Sequence, residues 1–148
     1  MYAPEALLGL LPNAHALILC VPHTPHTNGL IGEKELALLP PDTLLVNVAR
    51  GAIVQEGALY RALKARRLFA AGLDVWYRYP TEAERELGVA AAPSSFPFQD
   101  LDNVVMSPHR AGWSEETEIA RFVHLAALLN AAALGQPMPH CIDTHAGY

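Results

Sequence analysis

Three polar residues stand where apolar runs end. Arg50 follows Leu44-Leu45-Val46-Asn47-Val48-Ala49, Asp74 follows Ala70-Ala71-Gly72-Leu73, and His109 follows Val104-Val105-Met106-Ser107-Pro108. An arginine presents planar N–H donors that hold a carboxylate through two parallel hydrogen bonds, a geometry lysine lacks. A histidine can give or take a proton near neutral pH. In an open α/β sheet, ligands bind where the carboxyl ends of the strands converge. Three strands that each deliver one such group to one edge make an active site.

The elements that must position these groups alternate between strand and helix. Strands are expected at 16–21, 43–48, 70–75 and 103–106, each a continuous apolar run. Such runs predict a parallel sheet covered on both faces. Between them, 33–39 reads as a short helix closed by Pro40-Pro41. Residues 56–67 carry Leu59, Ala62 and Leu63 at the spacing of one helical face. The segment 22–29, rich in Pro, Thr and His, reads as a loop. Residues 81–100 have no clear period and read as an excursion with a helical turn at 82–87. Ser114 followed by Glu115 and Glu116 is a helix start, with a capping hydroxyl and two acids in the positive first turn. The apolar positions Ile119, Phe122, Val123, Ala126, Leu129 and Ala133 extend that helix to Leu134, where Gly135 and Pro137 end it.

A chain of 148 residues, 51% hydrophobic, fits the length of a single domain and has the apolar content to bury a core rather than stay disordered. Its net charge of -5 and its single short basic patch, Lys64-Ala65-Arg66-Arg67, argue against a nucleic-acid partner. No run of about 18 apolar residues exists to span a membrane, and no signal peptide is evident. Cys20 and Cys141 are far apart and form no paired motif, so a reduced, cytoplasmic setting is expected. His23 and His26 have a ligand-like spacing, but no third ligand lies near in sequence and no metal is expected. No GxGxxG turn is present to cradle a pyrophosphate. The chain reads as part of a doubly wound α/β sheet of about four parallel strands with flanking helices, whose strand 16–21 is left with a bare edge.

Four motifs carry a resemblance: Val21-Pro22-His23-Thr24-Pro25-His26-Thr27-Asn28-Gly29-Leu30-Ile31-Gly32, Leu45-Val46-Asn47-Val48-Ala49-Arg50-Gly51, Ala71-Gly72-Leu73-Asp74-Val75, and Asn103-Val104-Val105-Met106-Ser107-Pro108-His109. In this order and spacing the chain resembles the D-isomer-specific 2-hydroxyacid dehydrogenases over roughly residues 15 to 135. The resemblance implies that 1–112 is the second half of a dinucleotide-binding Rossmann domain. It implies that 113–148 is the long helix and tail that pack on a substrate domain absent here. It implies NAD or NADP as cofactor and a small 2-keto or 2-hydroxy acid as substrate. A homodimer or a complementing N-terminal half is the expected assembly. Residue by residue, Val21, Pro22 and Thr27 would lie by the cofactor ribose. Val48, Ala49 and Arg50 would line the nicotinamide, Asp74 and His109 would contact that half of the cofactor, and Ala111 and Gly112 would leave room for its carboxamide. Arg50 would grip the substrate carboxylate and polarise the 2-keto oxygen, and His109 would protonate that oxygen.

One family residue does not carry over. The family places a glutamate five residues after Asp74, where it orients the catalytic histidine and favours its protonated form; here that position is Tyr79. A phenol is neutral at pH 7, so it cannot supply the charge, although it can accept a hydrogen bond from His109 and fix the ring. Glu82, Glu84 and Glu86 are the nearby acids that could replace it. Positioned acid–base groups contribute typically ~10²–10⁴-fold to a rate, so the departure weakens the usual reaction. It also opens a second reading, a dinucleotide-binding scaffold or regulator with reduced catalysis. Plainer roles stand beside these: Arg50 as a surface arginine, Asp74 as a turn acid, Trp76 and Tyr77 as packing or site rim, and Cys20 as a small apolar filler.

Overall fold

The computed structural model describes residues 2–139 and 141–142. The chain divides into two compact units, residues 1–109 and 110–148. The first opens with short helical turns that include α1 (Leu7–Leu10). There follow β1 (Ala16–Leu19), α2 (Glu33–Leu38), β2 (Leu44–Asn47), α3 (Glu56–Lys64), β3 (Ala70–Leu73), α4 (Glu82–Glu86) and β4 (Val104–Met106). The four strands form one parallel sheet in the order β1-β2-β3-β4. Helical turns over 4–13 had no counterpart in the sequence pattern, and each strand is shorter than its apolar run because Cys20, Val48 and Asp74 already belong to the loops.

The α2 and α3 crossovers bury one face of the sheet. Leu36 of α2 and Leu59 and Leu63 of α3 join Leu19, Leu45, Ala71 and Leu73 in one core. The other face differs from the expectation of two-sided cover: the register aligns Ile18, Val46, Gly72 and Val105 in a row, with Ile18 62% and Val105 73% exposed. Successive crossovers of one hand, adding strands in one direction, place their helices on one side. A doubly wound sheet wraps its second face only where strand order reverses.

The connection from β3 to β4 carries an aromatic cluster. Tyr60 stacks on Phe96, and Phe98 meets the rings of Tyr60, Trp76 and Tyr77. The Glu56 carboxylate accepts from Ser94 Oγ and the Ser95 amide, both at 2.6 Å, which ties this excursion to the first turn of α3.

The second unit contains α5 (Glu115–Ala133). Ser114 caps it, accepting from the Thr117 amide at 3.1 Å, and Gly135 follows its end at φ 65°, the left-handed turn that glycine adopts without strain. Part of the tail assigned to 113–148 lies outside the described residues. Among those described, no helix is long and apolar enough to cross a membrane.

Candidate active site at the carboxyl edge of the sheet

All four strands are parallel, so their carboxyl ends share one edge and the loops that follow define the site. The loop after β1 is held by its own hydroxyls. Thr27 Oγ1 donates to Pro22 O at 2.7 Å and accepts from the Thr24 amide at 2.8 Å. Thr27 therefore shapes the Val21-Pro22 backbone, with its side chain committed within the loop. Residues 29–31 are then stitched to the loop after β2 through Gly29 N to Ala52 O (2.7 Å) and Ile31 N to Ile53 O (3.0 Å). Between the two loops lies an open cleft of about 610 Å³ lined by Cys20, Val21, Pro22, His23, Val48, Ala49 and Arg50. Five of the residues assigned to the cofactor from sequence (Val21, Pro22, Val48, Ala49 and Arg50) are thus brought together. The His23 ring meets Asn28 Oδ1 at 3.0 Å, and among the described residues no three candidate ligands cluster around a metal position.

Arg50 is aimed by a residue that the motif reading did not assign to the site. Asn47, 1% exposed at the end of β2, donates through Nδ2 to Arg50 O at 3.0 Å and accepts at Oδ1 from the Ala49 amide at 3.1 Å. A polar side chain that closes an apolar strand and bonds its own backbone two residues on is an Asx turn. That placement is the signal by which Asn47 could have been found. The Arg50 guanidinium is exposed, returns one bond to Ala49 O at 2.6 Å, and forms no ion pair among the described residues.

Asp74 sits at the end of β3, 5% exposed, and accepts a hydrogen bond from Ser107 Oγ. Ser107 is a second residue that sequence alone missed. His109 lies beyond β4 with φ 58°, a left-handed conformation uncommon for a side-chain-bearing residue and concentrated at functional positions. Its Nδ1 is 3.1 Å from Tyr79 Oη. The phenolic oxygen in turn accepts from the Trp76 amide at 3.0 Å, and Trp76 is anchored by its indole N–H to Ser107 O at 2.9 Å. The acids of α4 do not take the glutamate's place. Glu84 pairs with Arg78 and closes a capping box with Thr81, and those Thr81 hydrogen bonds, with Arg78 adding to them, hold its carboxyl below the usual range.

Gly51 joins the Arg50 loop to this network. A Cβ there would stand 2.4 Å from Trp76 O, so only glycine lets the two backbones approach so closely. Arg50, Asp74 and the Tyr79–His109 pair therefore follow three adjacent strands at one edge, linked through Gly51 and Trp76. Ala111 and Gly112 fall in the second unit, in the turn before α5, where Gly112 O accepts from Arg121 at 3.4 Å.

An open parallel α/β sheet with a cleft at its carboxyl edge belongs to the class of α/β proteins that bind their ligands at that edge. The chain belongs to the D-isomer specific 2-hydroxyacid dehydrogenases, matching the family's NAD-binding domain over residues 2–111. It is 35% identical over 134 residues to glyoxylate/hydroxypyruvate reductase B of Pectobacterium atrosepticum, covering 90% of this chain and 38% of that one. It is also 35% identical over 139 residues to glyoxylate reductase of Aeropyrum pernix, covering 94% and 38%. Among solved structures, an NADPH-dependent glyoxylate/hydroxypyruvate reductase from Sinorhizobium meliloti, in complex with NADP and sulfate, superposes with a TM-score of 0.82 at 28% identity. That match covers 99% of this chain and 44% of the other. The chain thus spans less than half the length of each of these relatives.

Proposed function

We propose that this chain supplies the nicotinamide-side half of an NAD(P)-dependent oxidoreductase that interconverts a 2-keto acid and its D-2-hydroxy acid. The observation that supports the reading is that Arg50 and the Tyr79–His109 pair follow strands of one parallel sheet at its carboxyl edge, where Arg50 also lines the 610 Å³ cleft. The cleft would take the nicotinamide and its ribose between Val21 and Pro22 on one loop and Val48 and Ala49 on the other. A bound nicotinamide supplies the hydride. Arg50 clamps the substrate carboxylate with two parallel bonds and draws charge toward the 2-keto oxygen. His109 gives that oxygen its proton, and Tyr79 holds the imidazole in place. Asp74, kept in position by Ser107, faces the same half of the cofactor. Glyoxylate and hydroxypyruvate, named for the relatives, are the first substrates to test, with NADPH and NADH in parallel.

In this reading residues 113–148 pack on a substrate-binding domain, and the assembly is a homodimer or is completed by an N-terminal half in the cytoplasm. Oxidation of reduced nicotinamide, followed by its absorbance with glyoxylate, hydroxypyruvate or pyruvate, tests the proposal. Turnover that Arg50→Ala leaves unchanged refutes it. Tyr79 in the glutamate position favours a second reading, a dinucleotide-binding scaffold or regulator with weak catalysis. A large gain in turnover for Tyr79→Glu supports that alternative.

A further inference from the structure

The direction of the hydrogen bond between Tyr79 and His109 follows from what Tyr79 already accepts. A phenolic hydroxyl has one proton to give. The Trp76 amide can only donate, so its 3.0 Å contact occupies a lone pair of Tyr79 Oη. That contact also polarises the O–H bond and strengthens it as a donor. The next polar atom on the hydroxyl is His109 Nδ1 at 3.1 Å, and an imidazole nitrogen is a better acceptor than a phenolic oxygen. We infer that Tyr79 is a positioning residue that donates to Nδ1 and so fixes the neutral His109 ring as its Nε2–H tautomer. This inverts the arrangement that an acceptor-only carboxylate imposes, in which Nδ1 carries the proton.

The consequence rests on the proposed dehydrogenase reading. His109 presents an N–H to the substrate oxygen while the ring is uncharged. As hydride adds to the carbonyl carbon, the Nε2–H bond breaks and the substrate O–H bond forms. The Tyr79 O–H bond breaks as the Nδ1–H bond forms, which returns the ring to neutrality. The phenolate left behind keeps the Trp76 amide bond; as product leaves, Nε2 takes a proton from water and the Nδ1 proton returns to the phenolate, which restores both groups. The main-chain anchor is itself rigid: Trp76 is 8% exposed and its indole is bonded to Ser107 O.

Nitrogen-15 NMR of the imidazole rings at mildly alkaline pH, without cofactor or substrate, reads the tautomer directly, and His109→Asn identifies the His109 signals. The expected result is a proton on Nε2 and an unprotonated, hydrogen-bonded Nδ1, with a bias of about 2- to 13-fold from one hydrogen bond. Tyr79→Phe, with its fold checked by circular dichroism, then relaxes the ring toward a mixture, and Tyr79→Glu moves the proton to Nδ1. A wild-type ring with its proton on Nδ1 overturns the inference, as does a ring that Tyr79→Phe leaves unchanged. If neither variant folds, the wild-type spectrum alone decides. Because no turnover is measured, failure here is distinct from failure of the dehydrogenase reading, which Arg50→Ala tests.

Discussion

One methyl group at Gly51 tests whether the Arg50 loop and the histidine network form one unit. In Gly51→Ala the new Cβ would stand 2.4 Å from Trp76 O and 2.6 Å from Trp76 C. Neither side can yield cheaply. The Trp76 indole is bonded to Ser107 O, the Tyr77 and Arg78 amides both bond Pro93 O at 3.2 and 3.0 Å, and Asn47 holds Arg50 from the other side. Overpacking a dense interior costs about 1–3 kcal/mol, and opposition by backbone on both sides places this case near 3 kcal/mol. For a chain of this size each kcal/mol lowers the melting temperature by about 2–4 °C, so a fall of roughly 6–12 °C is expected in a thermal melt. The displacement also moves the Trp76 amide, so the His109 tautomer loses its bias in the same variant. Gly72→Ala is the control: its Cβ meets Val46 Cγ2 at 3.8 Å and Cγ1 at 3.9 Å, ordinary contact distances, and a change between neutral and about 0.5 kcal/mol more stable is expected. A Gly51→Ala protein that melts within about 2 °C of wild type and keeps its His109 tautomer refutes the coupling.

Other outcomes follow from the same contacts. Asn47→Leu leaves the Ala49 amide and Arg50 carbonyl without their partner, and denaturant unfolding should register a loss of about 2 kcal/mol. Burial, reinforced by Glu56, pushes the Tyr77 phenol well above its ordinary value of 10.0. The stability this gives is complete below pH about 10 and declines as pH rises beyond it, so above pH 10 wild type should lose melting temperature more steeply than Tyr77→Phe. Glu84 shifts the other way, its carboxyl lowered first by Thr81 and then by Arg78. The support it gives α4 is present above the ordinary value of 4.5 and lost as pH falls through the lowered one. Amide shifts of residues 82–86 should drift toward those of an unfolded chain in acid, and in Thr81→Ala already at neutral pH.

Much of the framework was legible because it depends on local periodicity and on single residues. Uninterrupted apolar runs located all four strands, Ser114 with its following acids marked the start of α5, and Glu56 to Lys64 showed its buried stripe through Leu59 and Leu63. Arg50, Asp74 and His109 stood out as candidates because each follows an apolar run, and parallel strands must bring such ends to one edge. The strand boundaries were less legible, since Val48 and Val75 are apolar but already belong to loops.

What the residue order determined by itself was composition, element type and the edge where chemistry is possible, all properties of neighbours in the chain. Only the tertiary structure decided which long-range partners meet there. Tyr79 finds His109 across 30 positions and Ser107 finds Asp74 across 33. Gly51 abuts Trp76 from another loop, and one apolar sheet face carries exposed Ile18 and Val105. These depend on how crossovers of one hand fold back over a sheet, and no pattern along a single strand encodes that.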